Sequence, residues 1–199
     1  MEGAIELRSL RDRPYELLRE VDRRARAAAQ GGAETAVAGT EWVGVAFRLG
    51  GEAFLMAREE TREVMGYPAT VTRVPGAKGW VRGLSNLRGQ LLPLIDLRWF
   101  LGAGPTTVAR ATRVLVANHR EVPAGLIVDE VMGFRRFFDA EFSSDLPPTL
   151  LRCERYLAGA FRRGTEVWPV FSLRGLLESP AFLQAAASRA APQPRITRP

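Results

Sequence analysis

The chain has 199 residues, with 28 Lys and Arg against 22 Asp and Glu, a formal net charge of +6 and one cysteine. That length holds one domain, or two small ones sharing a core, and a lone cysteine excludes both an intrachain disulfide and a CxxC pair for zinc or redox work. Every basic residue except Lys78 is an arginine, and these are scattered from Arg8 to Arg198 among acids, which argues against the basic–aromatic stripe of a nucleic-acid groove.

Glu2, Glu6 and Arg8 stand where a secretory leader has its apolar core, and no apolar run reaches membrane-spanning length. The expectation is a cytoplasmic protein with no membrane insertion. Residues 14–29 are predicted helical, because Leu17, Leu18, Val21, Ala25 and Ala28 recur at three- and four-residue steps. Pro14 suits the first turn, and Glu20–Arg24 and Asp22–Arg26 pair across one turn. The apolar stripe is as suited to its own domain as to a partner. Gln30-Gly31-Gly32 opens a small, polar linker running to about residue 40.

From Trp42 the period changes to two. Val43, Val45, Phe47 and Leu49 alternate with Gly44, Ala46 and Arg48, and Gly50-Gly51 turns the chain into a returning strand. Leu91–Ile95 reads as a buried strand that Pro93 demotes to an edge or bulge position. Asp96 is placed to cap a short helix through Leu101, ended by Gly102 and Gly104. Val114–Ala117 and Ala124–Val128 form a second hairpin about a turn at Asn118–Arg120. Ser172 repeats the capping role for a helix through Leu177, stopped near Pro180, and the Ala/Pro/Arg run that follows has the composition of a disordered tail. The chain thus divides into a helix and linker (1–40), a folded body (41–181) and a tail (182–199).

The folded body says the same thing twice. Residues 83–97, GLSNLRGQLLPLIDL, and residues 159–173, GAFRRGTEVWPVFSL, each carry a Gly ten residues before a Pro, then two apolar residues, a small polar residue and Leu. Glu63-Val64-Met65-Gly66-Tyr67 is echoed by Glu130-Val131-Met132-Gly133-Phe134. The offset grows from 67 to 76 residues between the two pairs, so the second copy carries about nine extra residues, around Asp139–Arg155. Two copies are too few for a solenoid. Short strands, frequent Gly turns and few helices predict a mostly β body of two packed barrels, split at roughly 41–105 and 106–181, with short capping helices.

No catalytic constellation is legible. His119, the single histidine, falls in a turn without a second ligand or a nucleophile at a readable spacing. Asp129-Glu130 are strand neighbours facing opposite ways. Leu101-Gly102-Ala103-Gly104 lacks the Gly-Lys-Ser/Thr of a phosphate loop, and Cys153 has no activating base. No enzyme, cofactor or metal site is expected. What stands out is Asn86-Leu87-Arg88-Gly89, between Gly83 and Pro93. The glycines suit a turn or close backbone approach, and Asn86 can satisfy turn amides. A turn does not need the arginine. Its planar fork fits a carboxylate or carbonyls on a partner, or an internal pair with Glu63 or Asp96.

At this motif the chain resembles the CheW family of chemotaxis coupling proteins, whose run G-x-x-N-L-R-G-x-x-x-P-x-x-D-L is matched without a gap from Gly83 to Leu97. The resemblance spans about residues 41–178, and Glu63–Tyr67 matches the family's Glu-Ile-x-Gly-Tyr segment. The added N-terminal helix and long second-half loop make the chain similar to the variant that serves type IV pilus (twitching) systems. The resemblance implies two five-stranded SH3-like barrels. It also implies an adaptor between the cytoplasmic tip of a methyl-accepting chemoreceptor and the regulatory domain of a CheA-type histidine kinase, recruited to membrane-associated receptor arrays. The receptor tip would lie in the groove between barrels, and the matching receptor-binding positions are Glu63, Gly83, Asn86, Arg88 and Gly89. Thr61 and Arg58 stand where the family has aliphatic residues, which bears on receptor choice. The alternatives are a flagellar chemotaxis adaptor, a basic β-barrel binding nucleic acid with steep salt dependence, and a structural pilus subunit needing no kinase.

Overall fold

The computed structural model describes residues 40–187; the helix expected over 14–29 and its linker lie outside them. The strands are β1 (Glu41–Leu49), β2 (Glu52–Ala57), β3 (Thr61–Gly66), β4 (Val81–Leu87), β5 (Gln90–Asp96), β6 (Arg113–Ala117), β7 (Gly125–Val128), β8 (Glu130–Phe138), β9 (Phe142–Ser143), β10 (Leu157–Arg163) and β11 (Glu166–Phe171). Three α-helices accompany them among the described residues: α1 (Leu97–Phe100), α2 (Leu173–Leu177) and α3 (Pro180–Ala187). No helix among the described residues is long and apolar enough to cross a membrane.

The strands make two sheets, in the orders β8-β1-β2-β11-β10-β9 and β3-β6-β7-β5-β4. These are not the sequential halves 41–105 and 106–181. Matching the two copies strand for strand aligns β1 with β6, β2 with β7, β3 with β8, β4 with β10 and β5 with β11. The two sheet orders are then the same order, apart from the added β9. Each sheet takes its opening hairpin from one copy and its remaining strands from the other. The first sheet holds β1–β2 with β8 and β11, and the second holds β6–β7 with β3 and β5. The duplication has exchanged hairpins within one chain.

Both sheets curl until their far strands meet. Phe137 of β8 stacks on Phe161 of β10 at 4.7 Å, and Arg163 of β10 donates to the Arg136 carbonyl of β8 at 2.9 Å. In the other sheet the β4–β5 turn reaches β3 through Arg88 and Glu63, 2.9 Å apart. Each curled sheet is therefore barrel-like, with its own interior. Ala46, Leu55, Phe137, Phe161 and Val170 fill the first, and Leu87, Leu92, Leu94, Val114, Val116 and Ile127 fill the second.

The largest core lies between the barrels. Val45, Phe47, Leu49, Phe54 and Met56 of the first sheet meet Ile95, Leu115, Leu126 and Val128 of the second there. Phe47, Phe54 and Phe171 pack with centroids 5.7 to 6.4 Å apart. Because alternate residues serve a barrel interior and this shared core, β6 and β7 are apolar on both faces, as strands covered on both sides must be.

Pro93 does not lie on an edge strand. β5 runs between β4 and β7, but its parallel ladder to β7 begins only at Leu94, so the missing N–H interrupts nothing. Pro169 uses the same device, one residue before Val170 pairs with Leu55. Asp96 caps α1 at Trp99 N (3.2 Å) and Ser172 caps α2 at Gly175 N (3.0 Å). Asp96 is fully buried, accepts from both the Thr106 amide and hydroxyl at 2.8 Å, and lies 3.6 Å from Arg82. The chain beyond 181 is not all tail. α2 ends at Leu177 as expected, but Ser179 and Pro180 then start α3, and Phe182 enters the central core, stacking on Trp80 at 5.8 Å.

Candidate functional site

β3 opens with a bulge. Thr61 pairs with Ala117 and Glu63 with Val116, leaving Arg62 as the extra residue. Met65 then packs on the barrel interior while Val64 stays exposed. Across the barrel, the β4–β5 hairpin closes on Arg88-Gly89, with φ of 51° and 86°, the pair of positive values that defines a type I′ turn. Asn86 Oδ1 accepts from Gly89 N at 2.7 Å and fixes the turn. Arg88 is the only non-glycine among the described residues with positive φ, a conformation costing about 1 kcal/mol. The equivalent turn between β10 and β11 has Gly164 at that position, with φ 60°. The architecture therefore does not require an arginine here, and strain kept at such a position points to use.

Of the two internal partners open to Arg88, the structure selects Glu63 at 2.9 Å. The arginine side chain is 79% exposed, so the pair is worth at most about 1 kcal/mol and its remaining donors face solvent. Four of the five expected site residues, Glu63, Asn86, Arg88 and Gly89, are thus brought together. Gly83 is not. It lies at the start of β4, with φ 146°, where a Cβ would collide with the Thr72 carbonyl oxygen, and Thr72 and Leu84 exchange backbone hydrogen bonds at 2.8 Å. Its twin Gly159 has the same φ, against the Ser143 carbonyl.

Between β3 and the β1–β8 pair runs a groove of about 710 Å³. Arg58, Thr61, Glu63 and Val64 line one wall, and Gly133 and Phe134 the other. The β1–β8 register slips between Ala46 and Phe47, opposite Gly133 (φ 95°), and the next residue, Phe134, is left 60% exposed. Reading the sequence does not select Phe134 or Val64. The repeat points the other way: Tyr67, the twin of Phe134, is partly buried against its barrel interior, while Phe134 is turned outward. Arg58 and Thr61, the two departures from the family pattern, both face this groove.

The other candidates have structural roles. His119 Nδ1 accepts from the Val122 amide at 3.1 Å within the β6–β7 connection, and Nε2 lies 3.7 Å from Glu178. Asp129 accepts from Gly50 N at 2.7 Å while Glu130 faces Arg48 at 3.5 Å, so the two carboxylates share no site. Cys153 is buried, and burial pushes its thiol pKa up. On the first barrel Arg163 clasps Glu141 through two bonds of 2.6 and 2.8 Å and lies over the Phe137 ring at 4.5 Å. The hydrogen bond from Arg163 holds the Glu141 carboxyl below the usual carboxylate range; burial opposes this and the Phe138 amide adds to it.

The CheW-like domain model matches residues 43–181. The chain is 40% identical over 173 residues to Protein PilI of Pseudomonas aeruginosa, covering 87% of this chain and 96% of that protein. It is 36% identical over 109 residues to a probable chemotaxis protein CheW of Rhizobium etli (51% and 69%), and 32% identical over 104 residues to Protein FrzA of Myxococcus xanthus (52% and 62%). Among solved structures, the scaffolding protein TtCheW of Thermoanaerobacter tengcongensis superposes with a TM-score of 0.62 at 23% identity, covering 71% of this chain and 96% of that one.

Proposed function

The chain belongs to the CheW-like domain family of scaffold and adaptor proteins, and we propose that it couples the cytoplasmic tip of a methyl-accepting chemoreceptor to the regulatory domain of a CheA-type histidine kinase. The observation that carries this reading is the groove between the barrels, with apolar Val64 and Phe134 exposed across it and the Glu63–Arg88 pair at its edge. A receptor segment would bury the two apolar side chains, and its carboxylates or carbonyls would take the donors that Arg88 leaves to solvent. Coupling requires only that the receptor's signalling states differ in their contacts here and that the kinase, bound elsewhere on the adaptor, feel the difference. Arg58 and Thr61 put a cation and a hydroxyl into that groove, which selects a more polar receptor surface than an aliphatic wall would. Similarity to PilI over nearly the whole of both chains supports an output to type IV pili, with the protein cytoplasmic and held at receptor arrays.

The test is a titration of the full chain against a receptor signalling-tip fragment and a CheA-type regulatory domain, with Arg88→Ala beside wild type. Both should bind wild type, and the substitution should weaken only the receptor arm, by about 2 kcal/mol or about thirtyfold. Reduced thermal stability with unchanged affinity would make the Arg88 cluster a barrel clasp and nothing more. A deletion strain that loses twitching while still swimming would support the pilus output; loss of swimming alone would favour the flagellar pathway.

A further inference from the structure

The hairpin that carries Arg88 has a second concave side. Leu91, 67% exposed, borders a groove of about 410 Å³ at the end of the second barrel. Leu91, Leu92 and Pro123 give its apolar lining, and Arg62, His119 and Arg120 its polar lining. His119 is already committed to its own turn and to Glu178. Arg62 and Arg120 have no ion-pair partner among the described residues. Arg62, the extra residue of the β3 bulge, lines both this groove and the larger one between the barrels.

We propose that the second groove seats another stretch of the same receptor tip, one that presents a bulky apolar side chain beside a carboxylate. The apolar group packs on Leu91 and Pro123, and the carboxylate takes Arg62 and Arg120. This inference rests on the adaptor reading of the first groove. Two observations favour that occupant. Arg62 lines both grooves, so a partner lying in one comes within reach of the other. Two arginines without an ion-pair partner among the described residues call for an acidic partner, and their fork-shaped donors suit a carboxylate.

The experiment titrates full-length Leu91→Asp and Arg120→Glu, beside wild type and Phe134→Ala, against the receptor signalling-tip fragment and the CheA-type regulatory domain. Both new variants alter exposed side chains, so their melting temperatures should match wild type. The expected result is about tenfold or greater weakening of receptor binding by each, with regulatory-domain affinity held within about twofold. Receptor affinity unchanged by both, while Phe134→Ala weakens it, overturns the second seat and leaves the first groove standing. Loss confined to the regulatory-domain arm assigns the groove to the kinase and overturns the proposal equally. Failure of wild type to bind the receptor tip overturns both readings together.

Discussion

Arg88 combines a strained backbone, an exposed guanidinium and a weak internal pair, and these make separable predictions. Arg88→Gly removes the left-handed penalty, so thermal melting should be unchanged or slightly raised while receptor binding is lost. A purely structural Arg88 would instead lower the melting temperature. Gly83→Ala should do the reverse. Its Cβ has no room beside the Thr72 carbonyl, so denaturant unfolding should show a loss of about 2 kcal/mol or more. Glu141 titrates differently. Its carboxyl pKa is lower in the folded chain than in the unfolded chain, where it is about 4.3. Its pairing therefore stabilises the fold at neutral pH and ceases to do so as pH falls through the folded value. The melting-temperature deficit of Glu141→Gln should be present at pH 7 and shrink below about pH 4. At this scale the sequence is informative wherever a residue type is demanded by its own backbone, as at Asn86, Gly89 and Asp96. It is silent on Phe134, because which way a strand residue faces depends on a bulge that three-dimensional pairing creates.

The elements show the same division. The caps at Asp96 and Ser172, the two-residue hairpin turn and the strand runs are local and can be read directly. Asp96 carries the most, since it holds α1, the Thr106 loop and Arg82 from a fully buried position. Asp96→Ala should cost about 3 kcal/mol in equilibrium unfolding, because it strands buried donors and an arginine without a counter-charge. The start of α3 departs from expectation for an identifiable reason: Pro180 ends a helix if read from behind and begins one if read from ahead, and Ser179 decides for the latter. The placing of β1–β2 and β6–β7 is not legible at all. A strand apolar on both faces is equally at home in either sheet, and nothing in its own residues names its neighbours.

For the whole molecule, the exchanged hairpins tie two barrels into one cooperative body. A fragment of residues 41–105 lacks β6 and β7 from one sheet and β8, β9, β10 and β11 from the other, so it should show no cooperative melting by circular dichroism. Co-expression with 106–187 should restore a folded complex. Independent folding of either fragment would mean that the barrels can be rebuilt from sequential strands. The intact chain should unfold in a single denaturant transition, since the central core joins both sheets.

The same exchange sets a timetable during synthesis. The β1–β2 hairpin leaves the ribosome with Phe47, Phe54 and Met56 meant for burial, but its first sheet neighbour, β8, begins only at Glu130 and its last, β11, ends at Phe171. At about 5–20 residues per second, over a hundred residues of waiting amounts to roughly 6–23 s. The second barrel, whose strands are all made by Val128, can close first and offer its half of the central core as a temporary shelter. A nascent chain stalled between those points would carry one finished barrel and one orphaned hairpin, and so be a natural client for ribosome-associated chaperones.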